Sequence, residues 1–164
     1  MALLRATAEY SVHRHALARR VSLSLVLMAV LAGAGLRIYR TIVLQYGWSD
    51  SWLWIAGTFI AGSAFLLIMA TLHLGNFPVK SWLWRAPTFA VVEALTEISV
   101  SLALTIAGHE KIGSLTATFE DWQITSTRIL FFRIVGIPLF ALVLALVSTL
   151  VRLVLLPRKP VNPT

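Results

Sequence analysis

The chain has 164 residues, of which 58% are hydrophobic and 13% charged, with a mean hydropathy of +0.82. A soluble domain carries about 25% charged residues, so this composition leaves no room for a sizeable soluble domain and fits a polytopic membrane protein. The net charge of +7 reports orientation and anionic lipid rather than nucleic acid, and the lack of cysteine excludes disulfides, thiolate chemistry, iron–sulfur ligation and Cys-based zinc sites within the chain.

Four apolar segments predict an all-α, four-transmembrane-helix bundle, a single membrane domain over 1–164 with helices at about 21–46, 52–74, 86–108 and 129–156. Each reaches the roughly 20 residues that span about 30 Å of hydrocarbon. In the first, Arg19-Arg20 and Ala32-Gly-Ala34 resemble a signal peptide, but the apolar pattern resumes at Ile38, and the segment reads as a retained helix. Ala32-Gly-Ala-Gly35, and Gly57 and Gly62 in the second helix, allow close helix contact. Trp48, Trp52 and Trp54, and Trp82 and Trp84, read as aromatic belts at the two membrane edges. The string Ser-Trp-Leu-Trp occurs at 51–54 and again at 81–84, each copy opening a helix.

The connection 109–127 reads as a short amphipathic helix in the outer interface, because Ile112, Leu115, Phe119 and Trp122 recur at helical spacing. In the fourth helix, Gly136 and Pro138 should loosen or kink the backbone as a packing solution.

Basic residues set the expected orientation. Arg5, Arg14, Arg19, Arg20, Lys80, Arg85, Arg152, Arg158 and Lys159 fall on one side, against Arg37, Arg40, Lys111, Arg128 and Arg133 on the other. The richer side is expected to be the cytoplasmic one, which puts both termini in the cytoplasm of a bacterial cell with the protein in the inner membrane.

The third helix carries the chemistry. A carboxylate costs roughly 2.5–3.5 kcal/mol at the centre of a membrane helix, yet Glu93 and Glu97 sit one turn apart there, followed by Ser101, Thr105 and His109 at the same spacing. Each step of four drifts about 40° around the axis. Glu93, Glu97 and Ser101 therefore share one face, while Thr105 and His109 turn off it. Such groups suit proton transfer or hydrogen bonding to a quinone oxygen. The alternative is hydrogen bonding across helices or to another subunit. Glu93 lies nearer the inner end and is expected beside Arg85 and His73, with Glu97 as a separate mid-membrane carboxyl. Arg133, about a turn into the fourth helix, could approach the outer part of the third, and a pair with Glu97 is possible although their expected depths differ, whereas Arg37, Arg40 and Arg128 are expected to snorkel to the interface. His73, His109, His13 and His15 are scattered in depth, which disfavours a bis-His haem or a metal site.

The run His73-Leu-Gly-Asn-Phe-Pro78, followed by Trp82, Trp84-Arg85 and Glu93, resembles a stretch of the membrane-anchor subunits of dimethyl sulfoxide reductase and of polysulfide- and nitrite-reductase-type enzymes. The resemblance covers about twenty residues and implies His73 near a quinone headgroup, with Arg85 or Glu93 as supporting polar groups. This chain departs from those anchors in having fewer helices and in the expected inner position of His73.

No nucleotide loop, nucleophile triad or metal motif occurs, so no catalytic residue is assigned and no cofactor is expected to bind this chain alone, a quinone shared with partners being the exception. The expected function is a small integral subunit of a larger respiratory or redox complex. Glu97 and Glu93 would handle protons, and His73, Arg85, Ser101 and Arg133 would form a quinone or polar site. The expected partners are other membrane subunits and the lipid bilayer. Two alternatives stand beside it: an oligomeric proton-coupled transporter or channel, and a structural or assembly subunit without chemistry.

Overall fold

The structure is a computed structural model that describes residues 24–46, 51–112 and 115–155. Helix α1 spans Leu25–Tyr46, α2 Trp52–Gly75, α3 Trp82–Ile106 and α4 Phe119–Leu155. All four are long and apolar enough to cross a membrane. A 3-10 turn, Val79–Ser81, links α2 to α3. A small hairpin links α3 to α4, with β1 (Lys111–Ile112) antiparallel to β2 (Leu115–Thr116). The expected start of the first helix before residue 24, the basic arm with His13 and His15, Trp48, and the residues after 155, including Arg158 and Lys159, lie outside the described residues.

Helix α3 is the centre of the bundle, packed most extensively on α4 and α1, while α2 lies mainly against α1. Two small residues of α1 set this arrangement. A Cβ on Gly33 would stand 2.5 Å from the Glu93 carbonyl oxygen and 3.1 Å from the Glu97 nitrogen, so α1 and α3 meet backbone to backbone at the level of the two glutamates. Gly35 faces α2 instead, where an added Cβ would stand 3.4 Å from the Phe65 ring, and Gly62 of α2 receives Leu36 and Tyr39 in return. The core beside these crossings is built from Ala29, Ala32, Leu36, Leu66, Phe89 and Ile137.

The polar ends of the helices are held locally. Helix α3 ends at Gly108 with φ +71°, where the His109 N–H reaches the Leu104 carbonyl at 2.9 Å and the Gly108 N–H the Thr105 carbonyl at 3.0 Å. This is a Schellman closure, and it needs a residue tolerant of the left-handed region. It turns the chain into the hairpin, which the Ala117 N–H closes on the Glu110 carbonyl at 2.9 Å.

Helix α4 corrects the expected boundary. It begins at Phe119, not near 129, so residues 119–127 are its first turns and not a separate interfacial helix. A capping box causes this. Thr118 Oγ1 and N both donate to Asp121 Oδ2, at 2.7 and 2.9 Å, and the Asp121 N–H returns to Thr118 Oγ1 at 3.3 Å. Glu120 and Asp121 also sit at the favourable end of the helix dipole. Helix α4 continues unbroken through Pro138.

Both Ser-Trp-Leu-Trp copies open a helix, with Trp52 and Trp82 as first residues. Only one copy presents both indoles as an interfacial anchor would. Trp52 and Trp54 are exposed, but Trp82 is buried and donates through Nε1 to the Phe77 carbonyl at 3.0 Å, leaving Trp84 as the exposed member of its pair.

Candidate functional site

Glu93 and Glu97 are both fully buried, at 0% exposure, on the face of α3 that lies between α1 and α4. Arg133 of α4 reaches both. Its Nη2 donates to Glu97 Oε2 at 2.8 Å and its Nε to the same oxygen at 3.2 Å, while Nε stands 3.1 Å from Glu93 Oε2. The short approach to Glu93 is an ion pair without hydrogen-bond alignment, and neither Glu93 oxygen has a hydrogen-bond partner among the described residues. Carboxylates four residues apart on a helix have Cβ atoms roughly 5–6 Å apart, a gap one guanidinium bridges. On the other side Arg40 of α1 donates from Nη1 to Glu97 Oε1 at 2.9 Å. Long helical side chains lean toward their own N-terminus, so Arg40 reaches back from the hairpin end toward the level of Gly33.

The result is an alternating chain, Arg40–Glu97–Arg133–Glu93, with two positive and two negative charges. Glu97 is its hub, holding an arginine on each oxygen. Such a cluster persists in a low-dielectric interior because every charge has an opposite neighbour; removing one member leaves another uncompensated, at about 3–5 kcal/mol.

Two sequence expectations are corrected here. Glu93 does not group with Arg85 and His73; Arg133 draws it into one network with Glu97. Arg37 and Arg40 do not snorkel. Arg37 pairs with Glu110 of the hairpin, its Nε donating to Oε2 at 3.2 Å and its Nη2 meeting Oε1, with both side chains buried. The missed signal was the spacing of Gly33, Arg37 and Arg40, which places them on one face of α1. A glycine at a helix crossing marks the face that meets its neighbour, and charges on that face cannot turn to lipid.

The remaining candidates separate. Ser101 is buried one turn beyond Glu97, and its hydroxyl has no partner among the described residues. Thr105 is half-buried, in line with the 40° drift, and His109 is exposed beyond the end of α3. Between Ser101 and the hairpin lies a partly open cavity of about 210 Å³, bordered by Arg37, Arg40, Ser101, Thr105, Glu110 and Lys111. Trp122 closes one wall and donates from Nε1 to the Ile98 carbonyl at 3.3 Å.

His73 and Arg85 form a second group at the opposite end of the bundle. The His73 ring is buried between Phe77 and Phe89, with centroids at 5.2 and 5.9 Å. The Arg85 guanidinium lies 3.3 Å over the Phe77 ring and 4.6 Å from that of Trp84. His73 Nε2 and Arg85 Nε are buried and have no hydrogen-bond partner among the described residues. Among the described residues no three His, Asp or Glu side chains gather as metal ligands do.

No family model, curated protein or solved structure matches this chain.

Proposed function

We propose that the chain is a small multi-pass subunit of a larger membrane complex, respiratory or redox-linked, in which the Arg40–Glu97–Arg133–Glu93 network handles protons and the separate His73–Arg85 group contributes to a quinone site. One observation carries this reading. Glu93 is fully buried and touches Arg133, yet among the described residues no donor is aligned on either of its oxygens. A structural ion pair normally satisfies its carboxylate with hydrogen bonds; this one keeps both oxygens open to a proton. Through Arg133 and Glu97 it connects to Arg40, which borders the cavity.

The group at the other end fits a quinone headgroup. The buried, unpartnered nitrogens of His73 and Arg85 are candidate hydrogen-bonding groups for its carbonyl oxygens, and Phe77 and Phe89 offer faces for its ring. A quinone there would supply the redox chemistry, with this chain orienting the ring and exchanging protons. The resemblance to reductase membrane anchors points to the same residues.

The basic-residue count supports a bacterial inner-membrane location with both termini cytoplasmic. Of the five basic residues expected outside, Arg37, Arg40 and Arg133 are interior ion-pair partners, not loop charges, which leaves Lys111 and Arg128. The asymmetry is then nine against two.

A second reading, a structural or assembly subunit, draws support from the exact charge balance of the four-residue network. Purification of the tagged chain from native membranes in mild detergent separates the readings. The proposal expects larger redox proteins to copurify. It also expects Glu97→Gln and Glu93→Gln to lower quinone-linked turnover of the assembled complex at least tenfold without releasing the chain. Full turnover with impaired assembly would favour the structural reading, and proton-coupled flux by the isolated chain in liposomes would favour a transporter.

A further inference from the structure

The reading above takes the network as far as the cavity at the hairpin end but assigns that cavity no ligand. Its lining holds more hydrogen-bond donors than the chain consumes. Arg40 carries five N–H donors and makes one hydrogen bond among the described residues, to Glu97. Lys111 carries three, and its ammonium has no ion pair among the described residues. Ser101, 1% exposed, borders the cavity, and its hydroxyl has no hydrogen-bond partner among the described residues. The acceptors there are mostly spent. Both Glu110 oxygens are on Arg37, and Asp121 Oδ2 takes both Thr118 donors, leaving Asp121 Oδ1. A buried hydroxyl and two cations in a pocket short of acceptors call for a ligand rich in acceptor oxygens. The cavity, of about 210 Å³ and open on one side, has room for a small anionic headgroup.

We infer that this cavity binds an oxyanion, a phosphate or carboxylate group, held by Arg40, Lys111 and the Ser101 hydroxyl. The group belongs either to a free solute or to the headgroup of an anionic lipid entering from the membrane edge. Charge-assisted hydrogen bonds suit both, and a guanidinium already oriented by Glu97 is a preorganised half of the site. The inference does not rest on the redox reading. It concerns a ligand of the cavity and would stand if Glu97→Gln left turnover intact.

The test uses the full chain purified in a zwitterionic-free detergent micelle. Inorganic phosphate is titrated against chloride at matched ionic strength and binding is read calorimetrically. In parallel, native mass spectrometry compares retention of phosphatidylglycerol with that of phosphatidylcholine. Phosphate binding identifies a solute site, and selective phosphatidylglycerol retention without phosphate binding identifies a headgroup site. In either case Ser101→Ala and Lys111→Gln each weaken binding about tenfold or more. The inference is overturned if neither phosphate nor phosphatidylglycerol binds, or if both variants bind as tightly as the wild type. Lys111 sits on the hairpin outside the helix contacts, so Lys111→Gln still tests the site if Ser101→Ala proves unstable.

Discussion

Glu97 holds two arginines, one on each carboxylate oxygen, whereas Glu93 holds one and accepts no aligned hydrogen bond. The two glutamates, similar in sequence, should therefore differ in stability. Glu97→Gln leaves the partly buried Arg40 and Arg133 with one carboxylate between them and should cost up to about 3–5 kcal/mol. Glu93→Gln removes an unaligned contact and should cost less. Reversible unfolding in mixed micelles measures both, and equal losses would contradict the hub role of Glu97. Adding Arg40→Gln to Glu97→Gln restores the charge balance and should recover part of the loss. At this scale the sequence was informative about burial. Two carboxylates inside an apolar run pointed to the interior, whereas His109 is exposed because the chain has already left the helix at Gly108. Their partners were hidden because arginine is compatible with both snorkelling and burial, and only the neighbouring helix decides between them.

The crossing of α1 and α3 is what brings Arg40 within reach of Glu97, and it depends on Gly33. Gly33→Ala would set a methyl 2.5 Å from a backbone oxygen, which cannot rotate aside as a side chain could. The helices must separate, at about 1–3 kcal/mol. Gly57→Ala in α2, where nothing lies within 4 Å, should instead be neutral or stabilising by up to about 1 kcal/mol. Unfolding midpoints of the two variants check this contrast, and a harmless Gly33→Ala would contradict the close crossing. The helix boundaries show what hydropathy can read. Helix α2 at 52–74 and α3 at 86–108 were expected close to their observed Trp52–Gly75 and Trp82–Ile106. Helix α4 was expected about ten residues too short, because Gln123, Ser126, Thr127 and Arg128 interrupt the apolar pattern without interrupting the helix. The Thr118-Phe-Glu-Asp121 capping box was the available signal.

At the scale of the molecule, α4 has 37 residues and extends about 55 Å, well beyond about 30 Å of hydrocarbon. A membrane-crossing α4 would therefore leave part of its length outside the apolar layer even if it tilts. Exposed Phe131, Phe132, Leu139, Leu142 and Leu146 then follow along its length, a surface suited to lipid or to a partner subunit. Because the chain contains no cysteine, single cysteines report its topology without further substitution. Asn76→Cys, in the turn after α2, should react with an impermeant maleimide only from the cytoplasmic side, and Thr116→Cys in the hairpin only from the outside. Labelling of both from one side would contradict a four-span arrangement. Four helices were legible from composition and length alone. Their grouping around α3 was not, since it follows from Gly33 and from ion pairs between residues distant in sequence.

The proton-handling role of the network is tested most directly by infrared difference spectroscopy of the reconstituted full chain through a pH titration. The account predicts a protonated-carboxyl band that grows on acidification while the protein remains folded, that is missing in Glu93→Gln and that is displaced in Glu97→Gln. A spectrum in which neither substitution alters any titrating carboxyl band would contradict it and leave the four charges as a fixed structural clasp.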